Sequence, residues 1–391
     1  MKTVRDIHVV SKKVFVRVDY NVPVDENLNI TDDNRISATL DLIRYLIAQK
    51  AKIIIASHMG RPDGKKDPRF SLENAGKRLS RLLGIKIGFV DDCIGDRVKA
   101  KVDHLKEGQV LLLENLRFYN EEKNNDPAFS KSLAALCDIY VNDAFAVSHR
   151  DQASVTGIPK FVKESAMGFL LEKEVRSYYD SVENPQRPLV AIIGGAKVSS
   201  KLQALANMLN YVDRLIIGGA MANTFLNSQG LDTKGSMIEK DLIQTTLDIV
   251  HKAEEKGIQL LLPEDLICAE EFNKAANAKT VTVDNIPDEW MALDVGPKTA
   301  QKFANALQDA ETIVWNGPMG VFEMKQFLSG TQVVANAVAD STAFSIVGGG
   351  DTGLAAKKCG IADKVSYIST GGGAFLHMME GKILPGVAAI E

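Results

Sequence analysis

No apolar run in the 391-residue chain approaches the roughly 20 residues that a membrane-spanning helix needs, so no such helix is expected. The N-terminus, MKTVRDIHVVSKKVFVRVDY, breaks each apolar stretch with a charge and carries neither an h-region nor a small-residue cleavage site. The chain is expected to be soluble and unprocessed. Cysteine is scarce: Cys93, Cys137, Cys268 and Cys359 lie far apart, with no C-x-x-C pair and no zinc-like His/Cys spacing. That excludes a disulfide scaffold and leaves reduced thiols in a cytoplasmic protein as the expectation. A dominant charge is missing too. The 46 lysines and arginines face 50 acidic residues, and a net charge of −4 argues against a general nucleic-acid or membrane-surface binder, so any positive patch must be local. Tandem repeats and low-complexity tracts are absent, which removes solenoids and propellers. A Walker A loop and the protein-kinase signatures are absent as well, which removes those two lineages.

What is present is an alternation of short β-branched runs with longer segments of helical period, the pattern of parallel sheets covered by helices on both faces. The length suggests two domains. Strands are predicted at Val14–Tyr20, Lys52–Ser57, Val110–Leu113 and Ile139–Asn142, then at Leu189–Ile193, Arg214–Ile217, Gln259–Leu262, Thr312–Trp315, Ala343–Val347 and Lys364–Ser369. Arg35–Gln49 and Ser71–Leu83 have helical spacing, and Asp126-Pro127 places a capping residue and a first-turn proline at a helix start. A helix-like stretch from Gly168, closed by Asn184-Pro185 and Pro188, is taken as the connection between domains.

The two halves end their strands differently. In the second half the ends are glycine turns: Gly194-Gly195, Gly218-Gly219, Gly317-Pro318-Met319-Gly320, Gly348-Gly349-Gly350 and Gly371-Gly372-Gly373. In the first half they carry cations, with His58 and Arg61 after IIIAS, Arg117 after VLLLEN, and His149 and Arg150 after IYVNDAFAV. Ligands of open α/β sheets sit beyond the carboxyl ends of the strands. Freed backbone amides suit nucleotide phosphates, and guanidinium forks suit the phosphate or carboxylate of a small acid. A single arginine reads as a surface group, but Arg35, His58, Arg61, Arg117, His149 and Arg150 together would repel unless an anion joined them. Asp19 and Asn21 either accept from a substrate hydroxyl and orient an arginine, or form a turn before Pro23.

Gly348-Gly349-Gly350-Asp351-Thr352-Gly353 satisfies G-x-G-x-x-G after a strand, which invites an NAD-dependent dehydrogenase. Asp351 opposes that reading, because it would set a carboxylate against the pyrophosphate, and no acid ends the next strand to hold a ribose. An aspartate beside nucleotide phosphates makes sense with Mg²⁺ between them. Lys197 and Lys201 are predicted on one face of the first turns of the next helix, as phosphate contacts or as surface lysines. Glu323 could take a ribose hydroxyl or mark a helix start, and the Gly371–Gly373 amides could hold a phosphoryl group or cap a helix.

With these motifs in order, the chain resembles the phosphoglycerate kinase family nearly end to end. The resemblance is carried by RVDYNVP at Arg17, SHMGRPDG at Ser57, LLLENLRFY at Leu111, YVNDAFAVSHR at Tyr140, GGAKVSSK at Gly194, VWNGPMGVFE at Val314, GGGDT at Gly348 and STGGGA at Ser369. It implies an α/β fold of two doubly wound, Rossmann-like parallel-sheet domains. Residues 1–167 would bind 3-phosphoglycerate, 168–184 would form a hinge helix, 185–373 would bind nucleotide, and 374–391 would pack back on the first domain. It also implies glycolytic phosphoryl transfer from 1,3-bisphosphoglycerate to Mg·ADP by a cytoplasmic, hinge-bending monomer, with no nucleic acid or membrane partner. Carried over by position, Asp19, Asn21, Arg35, His58, Met59, Gly60, Arg61, Arg117 and Arg150 bind the glycerate, alongside Arg17 and His149. Lys201, Glu323, Gly349, Gly350, Asp351 and Thr352 bind the nucleotide, and Asp351 the magnesium. Arg35, Lys197, Gly350 and Gly373 serve the transfer. Ala292, Phe375, His377 and Glu264 depart from the usual pattern. The alternative on the same fold is a catalytically silent nucleotide- or phosphate-binding protein.

Overall fold

The computed structural model describes residues 2–390 and divides into two compact units, one running to Val175 and resuming at Ile383, the other covering Arg176–Lys382. The first unit is built on six parallel strands, β1 (Lys13–Arg17), β2 (Lys52–Ala56), β3 (Gly88–Val90), β4 (Val110–Leu113), β5 (Ile139–Asn142) and β6 (Glu164–Met167). Their order is β3-β4-β2-β1-β5-β6. Residues Ile53–Ala56 and Val110–Leu113 are buried on both faces, as a parallel sheet covered by helices requires. From β1 the chain steps to β2 on one side and from β5 to β6 on the other, so the order reverses between β1 and β5. A crevice opens at such a point beyond the strand ends.

The predicted helix Arg35–Gln49 is two helices, Asn34–Ser37 and Leu40–Ala48. The break falls at the fully buried Thr39, whose hydroxyl bonds Ile36 O at 2.8 Å and the Tyr20 phenol at 2.9 Å. Asp126 caps Pro127–Ala134 by accepting from the Phe129 amide at 2.8 Å. The terminal segment packs on this unit, with Gly386 N donating to Ser148 O at 2.8 Å and Asn142 Nδ2 to Gly386 O at 3.2 Å.

The second unit has β7 (Leu189–Ile193), β8 (Arg214–Ile217), β9 (Gln259–Leu261), β10 (Asp265–Ala269), β11 (Ala278–Thr282), β12 (Met291–Val295), β13 (Thr312–Asn316), β14 (Phe344–Val347) and β15 (Tyr367–Ile368). Six of these form a parallel sheet in the order β15-β14-β13-β7-β8-β9, which reverses between β13 and β7. The other three form an antiparallel sheet, β11-β10-β12, that the sequence reading does not anticipate. Its outer strand, β11, is mostly exposed and shows no apolar alternation. Residues 374–382 belong to this unit: helix Gly372–Met379 accepts at Met378 O from Tyr178 Oη at 2.6 Å and at Met379 O from Asn207 Nδ2 at 2.9 Å.

Candidate functional site

In the first unit, the ends of β1, β2, β4 and β5 bring together guanidinium groups that burial and mutual repulsion both disfavour. Arg17, the last residue of β1, is fully buried; its Nε donates to Ser154 Oγ at 2.8 Å, Nη1 donates to Val18 O, and Nη2 lies 3.2 Å from His58 Nδ1. A guanidinium has no acceptor, so His58 Nδ1 accepts and the ring proton sits on Nε2. Burial, then Arg17, Arg117, Arg150 and Arg35, hold the His58 pKa well below its usual value, so the ring is neutral. Arg117 is buried and donates from Nη1 to Gly60 O at 2.9 Å, while its buried Nε and Nη2 have no partner among the described residues. Burial and then the Arg17 and Arg150 charges push its pKa down to about 10. Arg150 is pushed down by burial and then by Arg61 and Arg17, and its Nε reaches His149 Nε2 at 3.4 Å.

The acidic side of the cluster is small. Asp19 pairs with Arg35 Nη1 at 2.7 Å and accepts from the Asn21 amide at 3.1 Å. Asn21 accepts from Gly60 N at 2.8 Å through Oδ1 and from Arg35 Nη1 at 3.1 Å through its carbonyl. The structure thus brings Asp19, Asn21, Arg35, His58, Met59, Gly60 and Arg117 into one hydrogen-bonded rim, with Arg150 coupled to it electrostatically and Arg61 exposed. Asn115 splints that rim. Its Oδ1 accepts from the Met59 and Arg117 amides, and its Nδ2 donates to Met59 O and Phe70 O. Asn115 stands just past β4, so the strand-end criterion that singles out Arg117 reaches it too. Glu122 and Ser154, which hold Arg17 from behind, carry no such signal.

In the second unit the rim is made of glycine turns packed backbone against backbone. A Cβ on Gly194 would lie 2.1 Å from Pro318 O, and one on Gly317 would lie 2.2 Å from Gly194 O. The turns after β7 and β13 therefore touch where the strand order reverses. The two lysines after β7 do not share a helix face as predicted: the helix begins at Leu202, and both precede it. Lys197 is exposed in an irregular turn, whereas Lys201 points back between the glycine turns. Its Nζ donates to Gly194 O at 2.7 Å, Asn316 O at 2.8 Å and Asn316 Oδ1 at 2.6 Å, and burial pushes its pKa down to about 8. Asn316, the last residue of β13, is not among the site residues to which the sequence points.

The turn after β14 leads into helix Asp351–Lys358 through Gly350, whose φ of 66° and ψ of −130° suit glycine alone. A Cβ on Gly349 would lie 2.7 Å from Gly372 N, so the turns after β14 and β15 are also in contact. Thr352 is buried and accepts from the Gly317 amide at 2.8 Å, which ties the turns after β13 and β14 together. Gly373 lies exposed in the first turn of helix Gly372–Met379. Lys358 Nζ donates to Glu323 O at 2.9 Å, fixing the turn that carries the exposed Glu323 carboxylate. Of the departures, Phe375 is fully buried edge-on to Tyr178, and Ala292 packs with Leu266 and Cys268 in a small core under the antiparallel sheet.

The comparisons with known proteins agree along the whole chain. The family model described as "Phosphoglycerate kinase" matches residues 4–382. A curated phosphoglycerate kinase from Desulforapulum autotrophicum is 63% identical over 391 residues, covering 100% of both chains. The structure of phosphoglycerate kinase from Coxiella burnetii superposes with a TM-score of 0.91 at 42% identity, covering 99% of this chain and 98% of that one. The crystal structure of the Pyrococcus horikoshii OT3 enzyme gives 0.84 at 33% identity, with 100% and 98% covered. With its motifs, both parallel sheets and its relatives in accord, the chain belongs to the phosphoglycerate kinase family.

Proposed function

We propose that the chain transfers a phosphoryl group reversibly between the acyl phosphate of 1,3-bisphosphoglycerate and Mg·ADP, with the glycerate bound by the first unit and the nucleotide by the second. The kinase activity itself, a phosphotransferase step of glycolysis, follows from family membership, and with it the dehydrogenase reading of GGGDTG falls. The observation that carries the division of labour is Arg117, a buried guanidinium with two unpartnered nitrogens among like charges. Each buried donor left unmade costs about 1–3 kcal/mol, and a phosphate oxygen at about 4 Å returns about 4 kcal/mol per charge pair at an effective dielectric near 20. A phosphate dianion is the small group that relieves both penalties together.

In this reading Arg17, Arg117, Arg150 and the Nε2–H of neutral His58 hold the glycerate phosphate, with Arg61 and His149 at its edge. Asp19 and Asn21 take the substrate hydroxyl, and the Met59-Gly60 turn supplies backbone. Among the described residues only Nη1 of Arg35 is engaged, by Asp19 and Asn21, so the rest of its fork can donate to the transferring group. Lys197, Lys201, the Gly349–Thr352 turn and the Gly373 amide neutralise and orient the nucleotide phosphates, and Glu323 accepts from the ribose. Transfer through a loose transition state asks for such placement and charge neutralisation and needs no covalent nucleophile.

The residues fit magnesium in one specific way. No three His, Cys, Asp or Glu side chains among the described residues converge as a metal cage, and Asp351 is the acid at the glycine turn. One carboxylate suits a cation that arrives with the nucleotide and keeps phosphate and water ligands. When bound, the ion neutralises phosphate charge. We take the protein to act as a monomer in the cytoplasm on small molecules. The four free cysteines support a reducing compartment, and the net charge of −4 supports small molecules over nucleic acid as ligands.

The test is a coupled assay of ADP formation from Mg·ATP and 3-phosphoglycerate on the wild type, Arg117→Gln and Asp351→Asn. Arg117→Gln should raise the KM for 3-phosphoglycerate by about tenfold or more and leave that for Mg·ATP in place. Asp351→Asn should do the reverse and raise the Mg²⁺ requirement. Equal changes of both KM values in either variant would sink the proposed division.

A further inference from the structure

Glu122 is a fully buried acid that the proposed mechanism does not use. Both its carboxylate oxygens engage a single residue: Oε2 accepts from the Ser154 amide at 2.9 Å and Oε1 from the Ser154 hydroxyl at 2.5 Å. The Ser154 hydroxyl in turn accepts from Arg17 Nε at 2.8 Å. A hydroxyl has one proton to give, and the guanidinium can only donate, so the direction of the chain is forced: Arg17 donates to Ser154, and Ser154 donates to Glu122. Ser154 is itself fully buried, and its carbonyl accepts from Tyr140 Oη at 2.7 Å, which fixes the backbone that presents the hydroxyl.

At its other end Arg17 donates to His58 Nδ1, which lies 3.2 Å away, closer than the 3.7 Å separating that nitrogen from Asp19 Oδ1. Three of the five N–H groups of Arg17 are thereby assigned, to Ser154, Val18 O and His58, and its fork cannot turn. The charges facing it are Glu122 behind, Asp19 paired with Arg35 beside it, and Arg117 and Arg150 across the rim. Glu122 lies close enough to this cation cluster to pull the Arg117 pKa upward, and no basic side chain forms a salt bridge with it among the described residues.

We propose that Glu122 and Ser154 are positioning residues for phosphate recognition: they lock Arg17 by its Nε and, through Arg17, keep the His58 proton on Nε2, where it can donate to the substrate. This rests on the reading that the first-unit rim takes the glycerate phosphate. A dianion meeting a histidine with its proton on the far nitrogen would face a lone pair, so the lock decides between attraction and repulsion at that contact.

The experiment measures steady-state kinetics of Ser154→Ala and Glu122→Gln, with Arg117→Gln alongside, and reads the His58 ring by ¹⁵N NMR in each protein. Glu122→Gln keeps the shape of the side chain and guards against loss of fold in Ser154→Ala. The expected result is a KM for 3-phosphoglycerate raised about tenfold in both relay variants, with the KM for Mg·ATP held within about twofold. The wild type should show His58 as the Nε2–H tautomer, and both variants should show mixed tautomers. If Arg117→Gln leaves the 3-phosphoglycerate KM unchanged, the assignment of the rim itself fails. If Arg117→Gln raises it while Glu122→Gln alters neither that KM nor the His58 tautomer, the pair is structural only and the proposal is overturned.

Discussion

Replacing Lys201 by methionine tests whether the protein holds a desolvated cation at the reversal point of its second sheet. The ammonium has its donors on three oxygens, none a carboxylate, and burial moves its pKa from 10.5 to about 8, with Asp351 pulling weakly the other way. In the unfolded chain the amine titrates normally. Between those two values the unfolded state therefore binds more protons than the folded one, and stability rises with pH. Below the window the full penalty is present, about 3 kcal/mol for a shift of this size. By about pH 9.5 some 2 kcal/mol of it is relieved.

Methionine cannot titrate, but it leaves Asn316 Oδ1 and Gly194 O without the donor that Lys201 supplies, at a cost of about 1–3 kcal/mol each, whereas Asn316 O keeps the Gly194 amide. The two effects oppose each other at every pH and only the first depends on pH, so the pH dependence is the informative readout. In urea denaturation at about pH 7 and about pH 9.5, the wild type should gain about 2 kcal/mol on Lys201→Met. Parallel behaviour within about 0.5 kcal/mol would refute the view that the buried amine is charged and strained at neutral pH.

Two further outcomes are expected. Asp143, fully buried at the end of β5, has its pKa raised to about 7 by desolvation, while its Oδ1 accepts from the Leu170 and Leu171 amides at 2.7 and 3.2 Å. A carboxyl raised in the folded state loses stability as pH climbs from its unfolded value through the folded one. Asp143→Asn, which keeps the accepting oxygen, should therefore match the wild type near pH 4 and exceed it by about 2–4 kcal/mol near pH 8 in chemical denaturation. An unchanged difference across that range would contradict the assignment. Gly194→Ala and Gly350→Ala should separate packing from conformation. The first drives a methyl to 2.1 Å from Pro318 O and should lower the thermal midpoint sharply, as overpacking between two backbones allows little relief. The second meets nothing within 4 Å but strains a φ of 66°, so it should fold, lose about 1–2 kcal/mol and weaken Mg·ADP binding in calorimetry. The reverse ranking of the two variants would show that the turns are not in contact.

Much of this protein is legible in its sequence, because the features that reveal it are local. The strands β1, β2, β4, β5, β7, β8 and β13 are each built on three to five consecutive apolar residues that are buried, and a linear reading finds them. Polar residues just past those runs fall at strand ends by the geometry of the α/β fold, which is why Asp19, His58 and Arg117 could be singled out before their contacts were known. The motifs placed the chain in its family for the same reason: a glycine turn or an arginine at a strand end is a contiguous signal.

The tertiary structure alone decided what depends on distant partners. Sequence makes Lys197 and Lys201 equals, four residues apart, but one is exposed and the other is desolvated because Asn316, 115 positions away, closes over it. Thr39 breaks a helix of good period because Tyr20 claims its hydroxyl, and Glu122 becomes the counter-charge of Arg17 only when Ser154 arrives between them. Burial, hydrogen-bond direction and pKa are properties of neighbourhoods, and a neighbourhood assembled from segments 19 to 137 positions apart has no period or spacing along the chain from which to read it.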